Sequence, residues 1–175
     1  WHRPAVSSLL FSPLAARAET RPQYGGTLHV STRAAPVSLD PANASLPDSF
    51  AQRSLTMLIF DTLVNADDTG RLQASLATSW QASQNNRHWQ FHVRSAVRFH
   101  DGSPLTAEAA AASLRGANPS WNVSADGDSV VIDETIADPD LPAELALPRN
   151  AMEKQSPDNQ PSGTAHFHIV DWQPG

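Results

Sequence analysis

His88-Trp89-Gln90-Phe91-His92-Val93-Arg94 alternates apolar and polar residues without a break. Successive side chains of an extended chain point to opposite faces, so Trp89, Phe91 and Val93 share one face and His88, Gln90, His92 and Arg94 the other. That period, bounded by the polar run Gln84-Asn85-Asn86-Arg87, predicts a half-buried antiparallel strand paired through the turn with Ser79-Trp80-Gln81-Ala82-Ser83. Trp80, Trp89, Phe91 and Phe99 then fall at core positions. Val97-Arg98-Phe99-His100 predicts a further short strand, and Asp101-Gly102-Ser103-Pro104 a turn. Thr106 opens an alanine-rich helix that runs to about Leu114 and is stopped by Gly116-Ala117-Asn118-Pro119.

Working outward from this centre, Asp67-Asp68-Thr69-Gly70 predicts a hairpin turn between strands at 63–65 and 71–73, and 74–78 a short turn of helix before Trp80. Upstream, Leu55, Leu58, Ile59 and Leu63 recur at helical spacing, and Asp48 or Ser49 is placed to cap that helix. Thr27-Leu28-His29-Val30-Ser31 predicts a first strand, followed by a loop marked by Pro36, Pro41 and Pro47. Downstream, Asp126-Gly127-Asp128 predicts a second hairpin, 141–147 a short helix, 150–162 a disordered polar loop, and 165–172 an alternating strand. No internal repeat is present.

Composition narrows the function classes. Twelve basic against eighteen acidic residues give a net charge of −6, and Lys154 is the only lysine, which argues against nucleic-acid or anionic-membrane surfaces. Without cysteine there is neither a disulfide framework nor a thiolate metal site. Fourteen prolines and eight glycines favour a loop-rich mixed fold over a helical bundle. Arg3, a weak apolar run over 5–18 and the ending Ala16-Arg17-Ala18 outline a secretory leader, which predicts an exported, periplasmic or extracellular protein.

Catalytic chemistry finds little support. Seven histidines invite a metal reading, with His88, His92 and His29 on one face and His166 and His168 on another. Side chains four apart on a strand lie roughly 13 Å from one another, however, too far to share an ion. Asp67-Asp68 and Asp138/Asp140 are paired carboxylates in turns, where such groups cap their own backbone. No G-x-S-x-G or phosphate loop occurs, so no catalytic, metal or cofactor site is assigned. A binding module, an interaction domain, and an enzyme whose machinery lies elsewhere remain.

The order of motifs then resembles a known family. Tyr24-Gly25-Gly26-Thr27-Leu28, Leu39-Asp40-Pro41 and Ile59-Phe60-Asp61-Thr62-Leu63-Val64 are followed by Leu76-Ala77-Thr78-Ser79-Trp80 and Trp89-Gln90-Phe91-His92-Val93-Arg94. Next comes Val97-Arg98-Phe99-His100-Asp101-Gly102-Ser103-Pro104-Leu105-Thr106-Ala107-Glu108, and later Gly163-Thr164 through Trp172-Gln173-Pro174-Gly175. Over residues 24–175 the sequence is similar to bacterial extracellular solute-binding proteins of family 5, the dipeptide, oligopeptide and nickel-binding receptors.

The resemblance implies a mixed α/β (α+β) fold, the N-terminal part of a two-lobed periplasmic binding protein with antiparallel hairpins and short helices. Residues 1–23 would be leader and linker, 24–45 the first strand and loop of lobe I, 46–160 an inserted α+β subdomain, and 161–175 a return strand, the second lobe lying outside the sequence. It implies a non-enzymatic, monomeric receptor that delivers a small peptide or chelated-metal solute to an ABC permease in the inner membrane, with no cofactor and no nucleic-acid partner. Glu144-Leu145-Ala146-Leu147-Pro148-Arg149 matches the nickel-binding branch, which makes Arg149 the expected ligand-facing cation, able to hold a carboxylate through two parallel bonds. Ala44 and Ser49 align with pocket-lining positions where that branch carries Tyr and Met. Ala109-Ala110 replaces Asp-Val after Thr106, so the reciprocal capping box is expected to be lost. Ala165-His166 replaces Gly-Pro. These departures favour a peptide-class solute over nickel, with an interaction or sensory domain as the alternative.

Overall fold

The four-stranded antiparallel sheet is centred on the alternating run. In the computed structural model, which describes residues 26, 29, 38–43, 50–155 and 161–170, it has the order β3-β4-β6-β5. Its strands are β3 Ala77–Ala82, β4 His88–Val93, β5 Asn122–Asp126 and β6 Ser129–Asp133, preceded by a small hairpin of β1 Val64–Ala66 and β2 Leu72–Ala74. Helix α1 Phe50–Ile59 precedes these strands, α2 Ala107–Ala117 lies between β4 and β5, and α3 Leu141–Glu144 follows β6. The described residues from 38 onward belong to one compact unit; of residues 1–31 only Gly26 and His29 are described, both exposed.

The alternation of β4 is realised as read. Trp89, Phe91 and Val93 are buried while His88, His92 and Arg94 are exposed, and the Trp89 and Phe91 rings stack at 6.1 Å between centroids. Register pairs Phe91 with Trp80 on β3 and Val130 on β6, and Trp89 with Ile132. Burying apolar side chains from three adjacent strands on one face removes them from water together and fixes the register, since a one-residue slip would expose all of them. Trp80 is partly buried against this core.

Helix α2 covers that face over β5 and β6. Thr106 caps it, its Oγ1 accepting the Ala109 N–H at 3.1 Å, so one half of the capping box survives. Ala107, Ala110, Ala111 and Leu114 face the sheet, and small alanine side chains bring the helix close to it. The helix runs one turn beyond Leu114 and ends when Asn118, held out of helical conformation by Pro119, donates its N–H to the Leu114 carbonyl at 2.8 Å. The β5–β6 hairpin closes at Gly127, whose φ of +55° suits glycine.

Four local expectations are corrected. Residues 74–78 form no helical turn: the Leu76 and Ala77 N–H groups donate to the Thr62 and Leu63 carbonyls, and the Leu76 carbonyl accepts from Arg94 N–H. With those groups satisfied across the chain, β2 passes to β3 through a bend. Residues 97–100 make only an isolated bridge between Arg98 and Pro104, within a loop where Phe99 N–H bonds the Ser103 carbonyl at 2.9 Å. The expected disordered loop is ordered at both described ends: Asn150 and Met152 are fully buried, and β7 Lys154–Gln155 pairs with β8 Pro161–Ser162. Residues 165–170 form no strand; Ala165 and Phe167 N–H groups donate instead to the Ile59 and Leu58 carbonyls at the end of α1. Trp172, the helix cap at Asp48 or Ser49, and all but His29 of the first strand at 27–31 lie outside the described residues.

A second, smaller core of Leu39, Ile59, Phe60 and Ala151, with Leu58 and Ile169 against it, joins the first loop to the later segments. Gly163 passes so close to α1 that an added Cβ would overlap the Ile59 carbonyl.

Candidate functional site

The segment that carries Arg149 is built as two consecutive short turns. Helix α3 begins with Leu141 and Pro142 buried, and the chain closes again in a 3₁₀ turn over Pro148–Asn150. Both turns are tied by one side chain. Asn150, fully buried, donates from Nδ2 to the Glu144 carbonyl at 2.7 Å and accepts from Asn118 Nδ2 at 2.8 Å. Its backbone N–H reaches the Leu147 carbonyl at 2.9 Å. The backbone under Arg149 is therefore held from two sides, while its side chain is 55% exposed.

The Arg149 guanidinium donates from Nη2 to Glu144 Oε1 at 2.7 Å, and Glu144 is 34% exposed. Nearby, burial and the charges of Asp138 and Glu144 push the Glu134 carboxyl above its usual range. A planar cation with one N–H engaged by an internal carboxylate, at a half-exposed position, is chemically suited to hold an anionic oxygen pair. Ala44 and Ser49, the other expected pocket positions, lie outside the described residues.

The long signature 97–108 is scaffold. His100 accepts the Gly163 N–H at Nδ1 (3.3 Å) and meets the Ala165 carbonyl from Nε2 (2.8 Å), an arrangement that puts the ring proton on Nε2. Asp101 accepts from Ser103 Oγ and N–H and from Lys154 Nζ at 3.0 Å; these bonds, with the Lys154 charge, lower its carboxyl to about 2. Lys154 also lies 5.9 Å from the Phe99 ring centroid. The motif thus clamps Lys154 and residues 162–165 against the helix-capping loop.

The remaining polar groups are accounted for locally. Asp67 accepts from the Thr69 hydroxyl and N–H and from Arg71 N–H and Nε, which hold its carboxyl well below the usual range, and also from Gln73. Asp138 caps Asp140 N–H at 2.9 Å, so both turn pairs serve their own backbone. His88 pairs with Asp133 at 2.6 Å across the open face of the sheet. Among the described residues no three His, Cys, Asp or Glu side chains group so as to hold a metal ion.

Two pairings escaped sequence reasoning. Asn150 looks like an ordinary polar residue after Arg149, and only its burial shows its task. Glu153, with its N–H on Ser113 Oγ at 2.9 Å, has its carboxyl pushed up to about 8 by burial and by the adjoining Asp40. The one available signal was Asp40 itself, within Leu39-Asp40-Pro41.

Comparison with known proteins follows the same lines. Residues 71–175 match the family described as "Bacterial extracellular solute-binding proteins, family 5 Middle". The chain is 40% identical over 74 residues to the periplasmic murein peptide-binding protein MppA of Escherichia coli, a match covering 42% of this chain and 13% of that one. It is 29% identical over 142 residues to the HTH-type transcriptional regulator SgrR of Photorhabdus laumondii, covering 71% of this chain and 26% of the regulator. The structure superposes on the nickel ABC transporter from Bacillus halodurans with a TM-score of 0.69 at 27% identity, covering 81% of this chain and 31% of that one. Against all three the chain spans under a third of the relative's length.

Proposed function

We propose, from the premise that this chain belongs to the bacterial extracellular solute-binding proteins of family 5, that it forms part of the solute receptor of an ABC-type importer. The observation that carries this is the family match over residues 71–175, which embraces both the His100 clamp and the Arg149 turn. The solute is a small peptide or a related carboxylate-bearing compound, a chelated metal included, and Arg149 is the cation that receives its carboxylate. The receptor works as a monomer in the periplasm beside an inner-membrane permease, and its task is binding rather than catalysis. Among the described residues no helix is long and apolar enough to cross a membrane.

Calorimetry of the native protein against a dipeptide library and against Ni²⁺ with L-histidine tests this reading. Saturable binding that Arg149→Ala abolishes supports it; binding to neither class, from a gene without neighbouring permease and ATPase genes, counts against transport.

A second reading has its own observation. The similarity to the transcriptional regulator SgrR covers more of this chain than that to MppA, which supports a sensory domain that keeps the fold outside any importer. An encoded DNA-binding segment in the same reading frame would favour it.

A further inference from the structure

We propose that Glu144 is the resident counter-ion of Arg149, a carboxylate that holds the guanidinium until a ligand carboxylate displaces it and so sets which anions the site accepts. This rests on the reading that Arg149 faces the solute.

The geometry supports an exchange without backbone movement. Glu144 and Arg149 sit at the two ends of one locked double turn: Leu147 N–H bonds the Glu144 carbonyl at 3.0 Å, and Asn150 binds that same carbonyl from its side chain. The pair can therefore part only by side-chain rotation, and both side chains have room, at 55% and 34% exposure. Glu144 engages Nη2 alone, whereas a ligand carboxylate can take two parallel N–H groups of the planar fork. A bidentate carboxylate replaces one bond by two. A halide or other single-point anion replaces one bond by one and gains nothing.

The Glu144 charge also bears on Glu134, which Asp138 faces as well. Exposed ion pairs of this kind change an equilibrium constant by up to about fivefold, so Glu144 tunes the site rather than closing it. It rejects weak competitors by occupying the cation they would need.

The test uses the native full-length protein and its Glu144→Gln and Arg149→Ala variants. With no ligand present, phenylglyoxal modification of Arg149 is followed by peptide mass mapping; Glu144→Gln is expected to speed it severalfold. With Ni²⁺ and L-histidine as the probe, Glu144→Gln is expected to tighten binding by about three- to fivefold and Arg149→Ala to abolish it. An unchanged modification rate in Glu144→Gln overturns the proposal, because the carboxylate then does not restrain the guanidinium. Weaker binding in Glu144→Gln overturns it as well, since Glu144 would then hold the ligand itself. If Arg149→Ala leaves probe binding intact, the assignment of Arg149 to the solute fails, and the proposal with it. The modification arm needs no ligand, so it decides the matter where the probe does not bind.

Discussion

His100 and Gly163 are joined by two hydrogen bonds: the His100 N–H donates to the Gly163 carbonyl at 2.9 Å, and the Gly163 N–H donates to His100 Nδ1 at 3.3 Å. The imidazole then continues to the Ala165 carbonyl, and Asp101 N–H meets Ser162 Oγ at 3.2 Å. One short stretch of the family signature thereby fixes the path of 161–165 against α1.

Gly163 is the tightest point of that path. A Cβ there would overlap the Ile59 carbonyl and crowd the Phe60 ring, and a backbone atom cannot move aside as a flexible side chain can. Gly163→Ala is expected to destabilise the protein by about 3 kcal/mol. Gly116→Ala, in α2 with open space around it, is expected to stabilise by up to about 1 kcal/mol. Urea denaturation of the two variants checks the opposite signs.

The Asn150 amide is expected to matter more than its neighbour's charge for folding. Asn150→Ala removes the Asn118 amide's bond and one of the two bonds to the Glu144 carbonyl, and empties a fully buried position, at a cost of about 2–3 kcal/mol. Arg149→Ala, losing one exposed ion pair, is expected to cost under about 1 kcal/mol. Thermal melts of both variants separate the two roles.

Stability is expected to fall as pH rises from about 4.5 to about 8. The Glu153 carboxyl is raised to about 8 in the folded protein, so the folded state holds a proton that the unfolded chain releases near pH 4.5. This contribution is complete below pH 4.5 and lost by pH 8; after solvent screening it is on the order of 2 kcal/mol. Asp101, lowered to about 2, acts with the opposite sign: its contribution is present above pH 3.8 and lost as pH falls toward 2. Melting temperature against pH should decline less between 4.5 and 8 in Glu153→Gln, the raised Glu134 carboxyl keeping a part of the same sign, and should keep its acid limb.

Ala96 is held at a φ of +65° on an exposed turn, a conformation that costs a residue with a Cβ. Ala96→Gly is expected to be neutral to stabilising, by up to about 1 kcal/mol, the relief of strain outweighing the greater entropy of the unfolded chain. A rise in the denaturation midpoint without change of slope would bear this out.

Local pattern determined the sheet. Strand β4 was legible because its alternation is a property of consecutive residues, and both hairpins were legible because Asp67-Asp68-Thr69-Gly70 and Asp126-Gly127-Asp128 carry turn chemistry within four residues. The family likewise followed from motif order. Residues 165–170 alternate much as β4 does and yet form no strand, since the Ala165 and Phe167 N–H groups find the carbonyls at the end of α1 rather than a sheet edge. His100 reaches partners 63 and 65 residues away, and Asn150 meets Asn118 across 32. Which side chain satisfies which buried backbone group depends on where distant segments come to lie, and burial makes each such bond obligatory. Tertiary structure alone therefore decided that the conspicuous histidine motif is a clamp, and that Arg149 stands on a rigid turn with Glu144 already in its grasp.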